Sequence, residues 1–462
     1  MKKRYLKSLL AASLSAVVLL SGCGGGDGGE EDGVKTASIW LQTGSSKQFW
    51  ESKIADFNNT LGKELGVNLE LDVKIDSSYS QELDIAIQSG QLPEFFMWGD
   101  IDKLVEAGNI VALNTLPGLP EFYAKYTDMM VEKSHKLGDD VYCIPWGMTT
   151  RGLVYNKEMF VAAGLVDENG EAKPPKTLDE LREYAKILTN PDKNEYGIVF
   201  PLKWSSWVDS DIVSLSTSVA GMPEYNPIEG VFDYSVCKPI LETVMGIKED
   251  GSYYPGAEGL DNDPARARFS EGNIGMKIAY SFDVGVFNTQ FPAKIDWGVA
   301  PLPTLTEDPE YRQTSYSNTS VRVASKALET LGAENVSKIF QWLYSDETVV
   351  EMYKQGLEIP CDWDLVKDVP VDNLPTGWKE FCEMVDISVI APTVMPTSSD
   401  GAKSVQEVIV NEVWTGDKTI DEGLAEMSQI KNDGMKKYQE LYPEQDYSIY
   451  YDANWSEKVR RD

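Results

Sequence analysis

Histidine occurs once in this 462-residue chain, at His135, which removes H-E-x-x-H zinc chemistry and most imidazole-based catalytic arrangements. Cysteine is scarce too. Cys23, Cys143, Cys237, Cys361 and Cys382 include no C-x-x-C pair, so no structural zinc site, no other metal and no cofactor is expected. Neither G-x-S-x-G nor G-x-x-x-x-G-K-[ST] occurs, which leaves no nucleophile elbow and no phosphate loop. Basic groups are in deficit: 42 Lys and Arg stand against 74 Asp and Glu, a formal net charge of −32. A surface of that sign repels nucleic acid and anionic lipid and favours solubility. The apolar run at 8–20 is too short to span a bilayer, and the absence of any repeat of solenoid or propeller period argues against those architectures.

What is present begins with that apolar run. It follows Lys2, Lys3, Arg4 and Lys7, the charge and length profile of a secretory signal. The stretch "LLSGCGGGDGG" at 19–29 then sets one cysteine before a string of glycines. Leu20-Ser21-Gly22-Cys23 resembles the lipobox of bacterial lipoproteins, and the resemblance implies a signal peptide over 1–22 and a diacylglycerol on Cys23. The protein is then expected outside the cytoplasm, lipid-anchored to the outer face of the cell membrane. Residues 23–33 read as a flexible tether reaching on the order of 18 Å. Gly24, Gly26 and Gly29 fit G-x-G-x-x-G, but no strand precedes them and no helix follows, so no dinucleotide site is expected. The four later cysteines allow two disulfides in any of three connectivities, or buried thiols.

A chain of this length exceeds one compact core and should divide into two lobes. Residues 34–41 read as a strand. Phe49, Trp50, Ile54, Phe57 and Leu61 recur at helical spacing, with Ser45 or Ser46 as N-cap and Gly62 as stop. Val67, Leu69, Leu71, Val73 and Ile75 alternate as a half-buried strand, a helix over about 81–89 ends at Gly90, and the apolar run 95–98 follows. Thr177-Leu178-Asp179-Glu180 is a capping box opening a helix with Leu181, Tyr184, Ala185 and Leu188 inward. Helices over 335–344 and 347–355 precede Gly356 and Pro360. The alternation of helices with short strands points to an α/β fold with parallel neighbours.

"IADFNNTLGKELGVNLELDV", "VYCIPWGMTTRGLVYNKEMFVAAGL" followed by "PKTLDELREYAKILT", "ARARFSEGNIGMKIAY" and "FQWLYSDETVVEMYKQGLEIP" together resemble the family 1 extracellular solute-binding proteins, the maltose-binding-protein-like receptors of ATP-driven sugar importers. The similarity runs from about Val34 to Pro360; the usual Pro-Asp is Pro93-Glu94 here, and "SNTSVRVASK" replaces a Gly-Gly. The resemblance implies a periplasmic-binding-protein-like fold with two α/β lobes, a hinge and an inter-lobe ligand cleft. It places 34–145 plus 272–318 in one lobe and 146–271 plus 319–462 in the other, with crossings near 145–155, 269–275 and 315–323. It further implies a carbohydrate ligand, an oligosaccharide, delivered by hinge closure to ABC importer permease subunits by a monomer. The competing reading is a surface lipoprotein of structural or chaperone-like duty, or one that binds a non-sugar solute such as a peptide.

A sugar offers an apolar face and a rim of hydroxyls, so its site needs aromatic surface beside short-reach acceptors and donors. Gln42 and Ser45 follow the first strand, and Trp98 and Asp100 stand at the carboxyl end of a later one, the edge where α/β sheets bind ligands. Trp98 also fits the core, and Asp100 fits a helix N-cap. Trp146 lies at the proposed crossover. Trp204 and Trp207 form a polar-flanked pair expected to be exposed. Tyr280, Phe282 and Asp283 follow "GNIGMKIA", where the family commonly places a ligand-facing aromatic, and Trp363 is a further candidate. Asp209-Ser210-Asp211 and Asp261-Asn262-Asp263 lack EF-hand spacing and read as solvated turns. A glycosidase needs only two suitably spaced carboxylates, but no enzyme activity is expected.

Overall fold

The computed structural model describes residues 33–42, 46–74, 76–370, 374–398 and 401–461. Cys23, Ser45 and Ile75 lie outside them. The elements used below are β1 (Lys35–Gln42), α1 (Lys47–Asn59), β2 (Val67–Lys74), α2 (Asp76–Ser89), β3 (Phe95–Phe96), α3 (Ile101–Glu106), β4 (Pro145–Thr149), β5 (Arg151–Asn156), α4 (Leu178–Leu188), β6 (Tyr196–Ile198), β7 (Ile274–Tyr280), β8 (Trp297–Ala300), β9 (Gln313–Thr319), β10 (Arg322–Val323), α5 (Ala333–Leu343), α6 (Asp346–Lys354), β11 (Ile359–Pro360), β12 (Ser388–Ile390) and α7 (Ile420–Leu441).

Three four-stranded sheets organise the molecule. The first lobe is built on β10-β3-β1-β2, with β1 parallel to both β2 and β3. The second is built on β8-β5-β7-β6, all four strands almost wholly buried. Between them β11-β4-β9-β12 forms a crossing sheet in which β4 and β9 run antiparallel. The chain passes to the second lobe at β4, returns along β9 and passes over again at β11. Where β4 meets β11 the packing is tight: a Cβ on Gly147 would sit 2.0 Å from the Glu358 carboxylate. The Asn318 side-chain amide of β9 donates to that carboxylate at 2.6 Å, so β11, β4 and β9 are held together by side chain as well as ladder.

Local signals in the sequence match these elements closely. The expected apolar stripe of α1 is buried at Phe49, Trp50, Ile54 and Phe57, and the Thr177 capping box of α4 is formed reciprocally with Glu180. Glu94 of the Pro-Glu pair is buried beneath the first sheet, where the Ser38 amide and hydroxyl donate to it and Lys326 sits 3.2 Å away. Burial disfavours the charged form, but these partners prevail and hold the carboxyl below its ordinary range. Some details differ. Ser46 occupies the N-cap position of α1 without a side-chain cap bond, and Gly62 lies inside a short helix that stops instead at left-handed Gly66. Asp209-Ser210-Asp211 is helix rather than a solvated turn, with Asp211 4% exposed. The four described cysteines are free thiols.

The lobe boundaries need the largest correction. Residues 272–318 were expected in the first lobe, yet β7 hydrogen-bonds between β5 and β6, and β8 pairs with β5, so the segment up to β9 belongs to the second. Conversely, β10, α5 and most of α6 pack in the first-lobe core with Val321, Val336, Ile339, Phe340 and Val349. No crossing occurs near 269–275. Helix and strand periodicity reports which face is buried, but not which of two sheets receives a strand.

Candidate functional site

Between the lobes lies a cavity of about 670 Å³, inside the range of ~300–1,000 Å³ usual for small-molecule sites. Its floor is β9, contributing Thr314, Ser315, Tyr316 and Ser317. The first lobe supplies 99–103, at the start of α3, and the loop carrying Lys133, Ser134 and His135; the second supplies Asp209, Ser214, Thr217 and Glu224, with Tyr438 of α7 and Tyr450. The loop after β12 closes one side.

Tyr316 is the aromatic platform. Strand alternation turns Ser315 inward and leaves Tyr316 42% exposed toward the cavity. Beneath its ring lies Arg151, itself 1% exposed, with the guanidinium carbon 4.4 Å from the ring centroid and 5.6 Å from that of Tyr280. Arg151 Nη1 donates to the Thr314 hydroxyl at 3.1 Å, which ties the first strand residue of the second lobe to the floor. A desolvated cation against two rings contributes on the order of 1–2 kcal/mol and fixes the platform from behind.

Trp98, like the cavity-lining Lys133 at φ 67°, is a strained non-glycine residue. It follows β3 at φ 64°, a conformation that a bulky side chain rarely adopts, and Gly99 follows at φ 91°. The turn is held by the Tyr79 hydroxyl donating to the Met97 carbonyl at 2.5 Å and by Arg322 Nη1 donating to the Trp98 carbonyl at 2.9 Å. A Cβ at Gly99 would lie 2.7 Å from Leu104, so the backbone must turn there without a side chain. The result presents Trp98, 39% exposed, immediately before the cavity-lining residues. Strain of this kind is often kept at binding sites.

The charged groups differ between walls. Asp100 caps α3, accepting from the Lys103 amide at 3.3 Å, and pairs with the Lys103 ammonium at 3.2 Å; Asp102 pairs with Lys133 at 2.5 Å. His135 accepts from the Val131 amide at Nδ1, at 3.0 Å, and lies 3.3 Å from the Ser317 hydroxyl through Nε2. Burial and the Arg322 charge push it down to about 4, so it is a neutral hydrogen-bonding group near neutral pH. On the opposite wall burial, reinforced by neighbouring Asp209, pushes Glu224 up to about 7. Such a carboxyl both donates to and accepts from a hydroxyl near neutral pH. Behind that wall Asp211 is likewise pushed up to about 7 by burial, with Lys277 and Arg151 opposing, and Arg266 pairs with buried Asp283 at 2.6 Å.

Of the residues expected from sequence to hold a solute, Asp100 lies in the cavity wall, where it also serves as the N-cap. Gln42 ends β1 on the same sheet edge as Trp98. Trp146 is not a cleft residue: it is 5% exposed in the first-lobe core, edge-on to Trp50 and Tyr344. Trp207 is fully buried against Phe200 and Trp414, which corrects the expected exposed pair; Trp204 is half-buried, edge-on to Tyr280. Tyr280 is buried behind Arg151, Phe282 stacks on it at 5.0 Å, and Asp283 serves Arg266 and the Tyr280 amide. Trp363 is exposed against Tyr353, outside the cavity lining. Missed were Tyr316, Tyr438, Tyr450, His135, Asp209 and Glu224. The Ser-Tyr-Ser alternation of β9 carried a signal for Tyr316; the others come from separate segments that only the fold assembles.

The description "Bacterial extracellular solute-binding protein" matches residues 43–350. A maltotriose-binding protein of Pyrococcus abyssi is 26% identical over 369 residues, 78% of this chain and 72% of that protein. A diacetylchitobiose binding protein of Streptomyces coelicolor is 25% identical over 217 residues, 45% of this chain and 47% of that one. In fold, the chain resembles an ABC transporter solute-binding protein from Thermotoga lettingae bound with alpha-D-tagatose, with a TM-score of 0.66 at 20% identity over 87% of this chain and 100% of that chain. The family match over 43–350, more than half of the chain, identifies the molecule as a solute receptor rather than an enzyme: the chain belongs to the bacterial extracellular solute-binding protein family.

Proposed function

We propose that this protein captures an oligosaccharide outside the cell and hands it, by closure of the lobes about the crossing sheet, to the permease subunits of an ABC importer. The observation that carries this reading is the make-up of the inter-lobe cavity. An exposed tyrosine forms the floor, the hydroxyl-bearing residues Ser214, Thr217, Thr314 and Ser317 line the cavity around it, and carboxyls stand on both walls. Stacking surface beside short-reach donors and acceptors suits a polyhydroxylated ring, and among the described residues the lining lysines, Lys103 and Lys133, are each paired with a carboxylate. The names of the two relatives, one for maltotriose and one for diacetylchitobiose, point to the same ligand class. Trp98, Asp100 and Gln42 join Tyr316 as proposed ligand contacts, and the second-lobe tryptophans do not.

The family places the protein outside the cytoplasm. Among the described residues no helix is long and apolar enough to cross a membrane. Cys23 is proposed to carry a lipid that retains the protein at the cell surface, with residues 23–33 as tether and the receptor acting as a monomer. The test is a titration of tryptophan fluorescence, confirmed by calorimetry, with malto- and chitin-oligosaccharides against short peptides. Saturable binding of one sugar series, weakened about tenfold in Tyr316→Ala while that variant still unfolds cooperatively in urea, is the expected result. Binding of peptides alone, or wild-type affinity in Tyr316→Ala, overturns it.

A further inference from the structure

The cavity does not account for all the aromatic surface at its rim. Tyr438 and Tyr450 line it from the second lobe. One helical turn beyond Tyr438, Tyr442 meets that ring with centroids 4.7 Å apart and planes at 41°. Tyr450 is met in turn by Tyr447, at 6.3 Å and 35°. The Tyr447 hydroxyl donates to the Tyr442 carbonyl at 2.8 Å, so the two outer tyrosines are tied to each other as well as to their inner partners. The shelf is anchored from below, where the Tyr225 hydroxyl donates to the Tyr450 carbonyl at 3.0 Å.

Of the outer pair Tyr442 faces water, while Tyr447 is half-buried against the second-lobe core. Tyr442 is 50% exposed and the adjoining Leu441 57%. A single exposed aromatic is ordinary, but an ordered set continuous with a binding cavity calls for an occupant. Across the cleft stands the first-lobe wall with Asp100 and Asp102, close enough that, after burial, their charges are what raise the Tyr438 phenol above its usual range. A flexible chain leaving the cavity at this point meets flat ring surface on one side and carboxylate acceptors on the other, the same pairing that the cavity floor offers. Tyrosine supplies that surface at low conformational cost, and the bond to the Tyr442 carbonyl lowers it further for Tyr447.

Building on the oligosaccharide reading, we propose that Tyr442 and Tyr447 form an outer subsite for the sugar rings of a chain that extends beyond the cavity, making the receptor selective for longer linear oligosaccharides. The ligand leaves the cleft along the carboxyl end of α7, and each ring stacked there adds affinity that short ligands cannot gain.

Calorimetry on the full chain tests this with maltotriose against maltoheptaose and chitobiose against chitohexaose. In wild-type protein the longer member of the series that binds is expected to bind more tightly. In Tyr442→Ala and Tyr447→Ala the ratio of long-chain to short-chain affinity is expected to fall about threefold to tenfold, and Tyr442→Phe, which keeps the ring, is expected to preserve it. A ratio that stays at the wild-type value in both alanine variants, or a wild type indifferent to length, overturns the subsite while leaving the sugar receptor standing. Failure of wild-type protein to bind any of the four sugars overturns both.

Discussion

On the first-lobe wall each cleft carboxylate has a lysine beside it and water around it: Asp100 with Lys103, and Asp102 with Lys133, with the carboxylates 50% and 41% exposed. On the second-lobe side the charges are sunk. Asp283 is 0% exposed against Arg266, Lys277 and Asp211 are buried near them, and Glu224 is pushed up to about 7 mainly by burial. The same residue types therefore have different energetic meanings. Where solvent screens the pair, its removal changes little; where it does not, removing one partner strands a charge.

The sharpest way to break this contrast is to remove one member of the buried pair. Arg266→Met leaves Asp283 without its cation and is expected to cost about 3–5 kcal/mol in urea unfolding; a loss below about 1 kcal/mol would show that water reaches the pair. Next comes the buried exception on the first-lobe wall, His135. The unfolded imidazole titrates near 6.5, whereas the folded one resists its proton down to about 4. In that window the unfolded state binds more protons, so stability should fall as pH drops from 6.5 toward 4, by up to about 3 kcal/mol. His135→Gln should lose this part of the pH dependence, read as the difference in urea midpoint between neutral pH and pH near 4; parallel profiles for the two proteins would count against the burial argument. The smallest effect belongs to the exposed pair, Asp100 with Lys103. Lys103→Ala should change stability by less than about 1 kcal/mol, and less still in high salt; a larger loss would mean that the two walls do not differ as described.

Much of the fold was legible in the residues themselves. The stripe Phe49, Trp50, Ile54, Phe57, the alternation from Val67 to Val73 and the Thr177 capping box are short-range patterns whose physics lies within a dozen residues, and each formed as read. The tryptophans were a harder case. Trp146, through its place at the proposed crossover, and Trp207, through its polar neighbours, looked like ligand surfaces, yet both are core, because a large ring gains most from full burial wherever the packing offers it.

The sequence by itself determined an acidic α/β molecule, because composition and periodicity are local quantities, and its resemblance to a known family implied a receptor. It also left Asp100, just beyond a strand, open as ligand residue or helix N-cap; the structure makes it the N-cap and sets it in the cavity wall. Tertiary structure alone decided which lobe receives β7, β8 and β10, since strand pairing joins segments more than a hundred residues apart. It alone set Tyr316 on Arg151 and brought Tyr438 and Tyr450 opposite Asp102, because a binding cavity is a meeting of distant segments, and nothing in the spacing of residues along a chain fixes which of them will meet.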